Sequence, residues 1–175
     1  MSRIFADGEE LLKANCEIGN RNYLLNSRDF SSNWVIGPTV SIESQTFLGG
    51  KIAKINSGGD GNNALKQEYV DRIPGILTWS VWAKADNLGD TLHTELFGGG
   101  GITDQTLSQG WQKYIFHGAM DPFSYKIFFW GPSTNKGSVY IALPSLKSGM
   151  TVTDWTPAPE DFQAQIDDLK SHLGK

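Results

Sequence analysis

The ten residues ILTWSVWAKA, Ile76 to Ala85, decide how this chain is read. Successive side chains of an extended strand point to opposite faces. Leu77, Trp79, Val81 and Ala83 therefore share one side, and Thr78, Ser80, Trp82 and Lys84 share the other. The first set is apolar and belongs in a core. The second is mixed, yet it carries a large aromatic ring.

The same alternation recurs on both sides of this stretch. In TLHTELF (91–97) Leu92, Thr94 and Leu96 turn inward, leaving His93, Glu95 and Phe97 opposite. In YKIFFW (125–130) Ile127 and Phe129 turn inward, and Lys126, Phe128 and Trp130 outward. Further strand-length pieces are YLLN, TVSIES, GKIAKI, ALKQEYV, WQKYIFH and SVYIALPSL. Nine short strands punctuated by Gly, Asn, Asp and Pro indicate an all-β fold, a two-sheet antiparallel β-sandwich of the jelly-roll type. No strand alternates with a helix, which disfavours a parallel α/β fold.

Composition agrees. At 175 residues the chain has room for one well-buried core, and its 20 Gly, 7 Pro and 19% charged residues suit strands and tight turns. The single Cys16 forms no internal disulfide, so packing must hold the fold. A net charge of −4, with no Lys/Arg cluster, argues against a nucleic-acid partner. Residues 1–20 hold no apolar run of signal-peptide length, and no later run is long enough to span a bilayer. The expectation is synthesis in a cytoplasm and no membrane partner, with any extracellular role reached by lysis or on a particle.

Three regions follow. Residues 1–22 form a lead-in, with DGEELLKAN as a short helix capped by Asp7. Residues 23–158 form the jelly roll, and residues 159–175 a helical tail for assembly. In that tail Phe162, Ile166, Leu169 and Leu173 repeat at steps of four, three and four, as in a coiled-coil seam. Two heptads are too few to stand alone, so the tail docks on the domain, joins a partner, or bundles with copies of itself, a trimer among the options.

The outward aromatics Trp82, Trp130, Phe128 and Tyr125 are the candidates for saccharide contact, with Lys84, His93 and Glu95 as polar neighbours. Aromatic faces stack on the apolar C–H face of a pyranose while nearby polar groups bond its hydroxyls. Each ring taken singly also fits as core filling. Trp79, Trp111 and Trp155 are assigned to structure, and Trp34 is left open. In VTDWTPAPED (152–161), Trp155 pins the end of a sheet and the Pro-Ala-Pro run sets the exit direction.

Other motifs are weaker. FGGGGITD (97–104) lacks the Lys and following helix of a phosphate loop and reads as a flexible loop. NSGGDGNN offers Asp60, Asn62 and Asn63 to a calcium ion without EF-hand spacing, and a plain turn is the better reading. His93 and Glu95 share a face but have no evident third metal ligand. No cofactor is expected. Glycoside hydrolysis needs two carboxylates across a cleft, and Glu95 alone is placed on the aromatic face; Glu43, Glu68 and Asp104 have no assigned position.

Five segments occur in an order that resembles a known family: NYLLNSRDFSSNW, LTWSVWAKADN, SQGWQKYIF, SVYIALPSLKSG and TDWTPAPED. Together they resemble the carbohydrate-binding-module-like jelly rolls of tail, baseplate and neck proteins of phages of Gram-positive bacteria. The resemblance spans Asn22 to Asp161, and TDWTPAPED is its most specific part. It implies a two-sheet jelly roll, a place on a virion among other virion proteins, and adhesion to host cell-wall polysaccharide; with so few placed carboxylates, a non-catalytic module is expected. Related modules often carry a calcium-holding Asp in the last strand; here Ala142 stands in that neighbourhood, which puts a structural calcium in doubt. The alternatives are a purely structural virion jelly roll and, less favoured, a wall-degrading hydrolase.

Overall fold

The structure is a computed structural model, and it describes residues 21–58, 60–68, 73, 75–96, 101–119 and 126–173. The expected lead-in helix, Phe97 and Tyr125 lie outside the described residues. Among those described, the strands are β1 (Trp34–Ile36), β2 (Val40–Phe47), β3 (Gly50–Ile55), β4 (Leu65–Glu68) and β5 (Ile76–Ala85). They continue as β6 (Thr91–Leu96), β7 (Gly101–Thr106), β8 (Gln112–Ala119), β9 (Lys126–Trp130) and β10 (Val139–Ser148), and a helix, α1 (Pro159–Leu173), follows. The strands pair antiparallel into two five-stranded sheets, ordered β1-β4-β9-β6-β7 and β2-β3-β10-β5-β8. This is a jelly-roll sandwich.

The alternation read from the sequence sets the core. Leu77, Trp79, Val81 and Ala83 of β5 meet Leu92 and Leu96 of β6 and Ile127 and Phe129 of β9 in one buried cluster. Trp79 is 1% exposed, stacks on Phe116 at 5.5 Å, and donates its indole N–H to Thr94 Oγ1 at 3.0 Å across the sandwich. Burying that ring contributes roughly 4–6 kcal/mol by area, and the cross-sheet bond satisfies two polar groups that would otherwise be costly inside.

Three expectations change. YLLN is not a strand: residues 25–30 turn, with Asn26 and Phe30 at positive φ. The turn brings Phe30 edge-on to Trp34, which is buried and donates Nε1–H to Leu25 O at 2.9 Å. Trp34 is thus a core residue that opens β1, a strand absent from the sequence reading. Gly101 to Asp104, read as part of a flexible loop, belong to β7, which pairs with β6 along its length. Gly101 is required there by close approach, because a Cβ would lie 2.3 Å from Trp79 Cη2.

The C-terminal segment closes the domain as a clasp. Trp155, half-buried, donates Nε1–H to Ser27 Oγ (3.1 Å) and Pro144 O (3.2 Å). Asn22 Nδ2 donates to Thr156 O, and its Oδ1 accepts from Leu24 N and Leu146 N. Lys147, on the outer face of β10, is 4% exposed and donates to Thr153 Oγ1 and Asp154 O; Lys113 Nζ donates to Thr153 O. Burial, then the Lys113 charge, push the Lys147 ammonium pKa down to about 8.

Helix α1 starts with Pro159 in its first turn, and Asp161 Oδ2 reaches back to Ala158 N. Asp161 also accepts from Asn26 N, and Arg21 pairs with Glu160, so the helix start is fixed to the domain. Beyond that turn its seam is uncovered: Phe162, Ile166 and Leu169 are 42%, 36% and 60% exposed.

Candidate functional site

The sequence-predicted site residues fall on two opposite faces of the sandwich. Trp82 and Lys84 belong to β5, in the β2-β3-β10-β5-β8 sheet. His93, Glu95, Phe128 and Trp130 belong to β6 and β9, in the other sheet. Each set points away from the core, as the alternation requires. Because the sheets stack core to core, the outward sides look in opposite directions, and a single trough holding Trp82 and Trp130 together does not exist. The period of a strand says in or out; it does not say which sheet.

The β6/β9 face is the better-formed site. Register places Glu95 opposite Phe128, His93 opposite Trp130, and Lys66 of β4 opposite Phe128 on its other side. β7 adds Asp104 opposite His93. The result is an open recess of about 600 Å3 lined by Asp60, Gly61, Asn62, Lys66, Glu95, Lys126, Phe128 and Trp130. Phe128 is buried as its floor, with Trp130 edge-on at 6.1 Å and partly exposed. Gly61 leaves room above Phe128: a Cβ there would only touch the ring at 3.6 Å.

Electrostatics organise the recess. The His93 ring stacks on Trp130 with centroids 3.6 Å apart and 25° between planes. His93 Nδ1 lies 2.6 Å from Asp104 Oδ1, and since a carboxylate only accepts, Nδ1 donates. His93 Nε2 faces Glu95 Oε2 at 3.5 Å, outside hydrogen-bond geometry. This pinned imidazole backs one side of Trp130 and stiffens it as a platform. Glu68 lies between Lys126 (3.2 Å) and Lys66 (3.7 Å). The surface thus offers a ring beside ammonium, carboxylate and amide groups, a set that matches the apolar face and hydroxyls of a sugar.

Lys66, Glu68, Asp60, Asn62 and Asp104 were not placed at the site by sequence reasoning. Alternation through ALKQEYV would have put Lys66 and Glu68 outward; the loop and β7 residues gave no such signal. In the NSGGDGNN turn, Asp60 Oδ1 accepts from Asn62 N, Asn63 N and Asn63 Nδ2, so this carboxylate shapes its own turn, as the plain-turn reading expects. No group of three or more His, Cys, Asp or Glu that could hold a metal occurs among the described residues.

No protein-family model and no curated protein matches the chain. Solved structures do. A candidate sugar-binding protein from Bacteroides thetaiotaomicron is 14% identical with a TM-score of 0.53, over 74% of this chain and 100% of that one. The C-terminal family 6 carbohydrate-binding module of the laminarinase LamC from Zobellia galactanivorans is 11% identical at 0.50, over 66% and 93%. The tandem family 22 modules of Xyn10C from Paenibacillus barcinonensis are 13% identical at 0.50, over 77% of this chain and 47% of that one. At these identities the likeness shows a shared jelly-roll fold.

Proposed function

We propose that the chain is a non-catalytic glycan-binding module of a phage particle that adheres to the wall polysaccharide of a Gram-positive host. The observation that carries the binding reading is the Trp130 platform, backed by His93 and bordered by Asp60, Asn62, Lys66, Glu95 and Lys126. The fold is one that a candidate sugar-binding protein and carbohydrate-binding modules also use. The phage setting rests on the five segments read in the sequence, TDWTPAPED above all. A non-catalytic role is favoured because hydrolysis needs two carboxylates placed across a cleft, and of those here Glu68 is held between two lysines and Asp60 by its own turn.

Adhesion is weak per site and strengthened by many copies. Helix α1 supplies the contact for that multiplicity, its exposed Phe162, Ile166 and Leu169 packing against copies of itself or a neighbouring virion protein. Titration of the full chain with purified uncharged host wall polysaccharide, freed of anionic polymer, tests the reading. Binding that falls about tenfold or more in Trp130→Ala supports it. Absence of binding favours the purely structural virion jelly roll. Release of reducing ends, lost in Glu95→Gln, would mark a hydrolase instead.

A further inference from the structure

The opposite outer face, around Trp82, carries a second group of rings that the recess does not use. Phe47, at the end of β2, stacks on Trp111 at 4.3 Å and 19°, and tilts against Trp82 at 5.3 Å. Trp111, assigned to structure in the sequence reading, is therefore a surface ring; it lies just before β8, half-buried like its two partners. Phe47 escaped the strand pattern because the β2–β3 register shifts between Ile42 and Thr46. Its position is set by the hairpin that follows, whose two turn residues, Leu48 and Gly49, both have positive φ.

Two ammonium groups border these rings. Lys84 Nζ stands 5.8 Å from the Trp111 centroid and 4.7 Å from that of Tyr140. Lys54 Nζ stands 5.8 Å from the Tyr140 centroid on the other side. Among the described residues neither lysine has a carboxylate within ion-pair distance, in contrast to Lys66 and Lys126 of the recess. Burial, then Asp86 and after it Glu43, hold the Tyr140 hydroxyl pKa above its ordinary value, so both acids lie near this ring. In the recess Glu68 lies within ion-pair distance of both lysines, whereas on this face the two ammonium groups stand over rings, with Glu43 and Asp86 nearby but outside ion-pair distance.

Rings with unpaired ammonium groups at their border match one ligand chemistry, a saccharide that bears an anionic substituent. We infer that the Trp82–Phe47–Trp111 face is a second binding site, for anion-bearing glycan, with Lys84 and Lys54 as the anion contacts. The pyranose face lies on the partly exposed indoles and the phosphate or carboxylate on the ammonium groups, whose attraction is strengthened by the low-dielectric ring surface. A module with one neutral-type recess and one anion-type face can grip a heterogeneous wall polymer from two sides. This site stands independently of the Trp130 recess.

The test uses the full chain titrated separately with a phosphodiester-linked wall polymer, a polyuronate and a neutral β-glucan. The variants are Lys54→Gln/Lys84→Gln, Trp82→Ala and Trp130→Ala, each checked for an unchanged unfolding midpoint. At least one anionic polymer is expected to bind. Its affinity should fall tenfold or more in the double lysine variant, with the log–log salt slope reduced by about two, one per ammonium group. Trp82→Ala should weaken it as well, and Trp130→Ala should leave it in place. Preference for phosphate over carboxylate, or the reverse, identifies the source of the anion. Binding of neither anionic polymer overturns the inference, and so does anionic binding indifferent to both the lysine pair and Trp82. If neither anionic polymer binds while neutral-glucan binding is lost in Trp130→Ala, the recess reading stands and this one falls.

Discussion

Replacing Gly101 by Ala asks whether β7 is pressed against the core as described. The new Cβ would sit 2.3 Å from Trp79 Cη2 and 3.1 and 3.2 Å from Cζ3 and Cζ2. Ordinary carbon–carbon contact is about 3.5–4.0 Å, so the indole or the strand must move by more than about 1 Å. Trp79 cannot slide freely, being stacked on Phe116 and bonded to Thr94 Oγ1. Overpacking of this kind costs about 1–3 kcal/mol, and a broken indole bond adds about 1. Against this, Ala restricts the unfolded chain and returns about 0.4–1 kcal/mol. The expected net loss is about 1–3.5 kcal/mol, read as a lower urea midpoint at unchanged slope. Gly110→Ala is the control, since a Cβ there meets nothing within 4 Å. In a Trp79→Leu background the Gly101→Ala cost should largely vanish. A Gly101→Ala protein as stable as the Gly110→Ala control would refute the packing of β7 on Trp79.

Other expectations follow from the clasp and the tail. Lys147 has its ammonium pKa lowered from 10.5 to about 8, so below pH 8 both folded and unfolded chains hold the proton and the penalty is constant. Between pH 8 and 10.5 the unfolded chain holds it more, so this group adds up to about 3 kcal/mol of stability as pH rises; urea titrations should show that slope, and Lys147→Met should lose it. Asn22→Ala removes acceptors from Leu24 N and Leu146 N and a donor from Ser27 Oγ and Thr156 O, and should cost about 2–4 kcal/mol in urea unfolding. Trp155→Phe keeps a ring but deletes the Nε1–H shared by Ser27 and Pro144, for a loss of about 1 kcal/mol by the same assay. Phe162→Ser/Ile166→Ser/Leu169→Ser should abolish self-association measured by sedimentation and leave the thermal midpoint of the sandwich unchanged, since these side chains are exposed.

The faces of β5, β6 and β9 were legible because apolar side chains recur at every second position toward the core, even though outward Thr78, Ser80 and Phe128 are themselves covered. Inward Leu77, Trp79, Leu92, Ile127 and Phe129 all lie in the core. What the pattern does not encode is pairing between strands distant in sequence. β5 pairs with β8 and β10, and β6 with β7 and β9, so Trp82 and Trp130 separate onto opposite faces. β7 was missed because its glycine answers a core indole, a contact invisible until Trp79 is placed. YLLN was misread because apolar Leu24 is buried from an irregular segment just before a turn and not from a strand. Two of the candidate residues, His93 and Trp130, were brought into direct contact by register, and that contact is the feature on which the recess depends.

The central claim is best tested by isothermal titration of purified uncharged Gram-positive wall polysaccharide, freed of anionic polymer, into the wild-type chain and into Trp130→Ala. A saturable isotherm weakened at least tenfold by the substitution, about 1.4 kcal/mol, is the expected result. Wild-type binding carried over undiminished to Trp130→Ala would contradict the account.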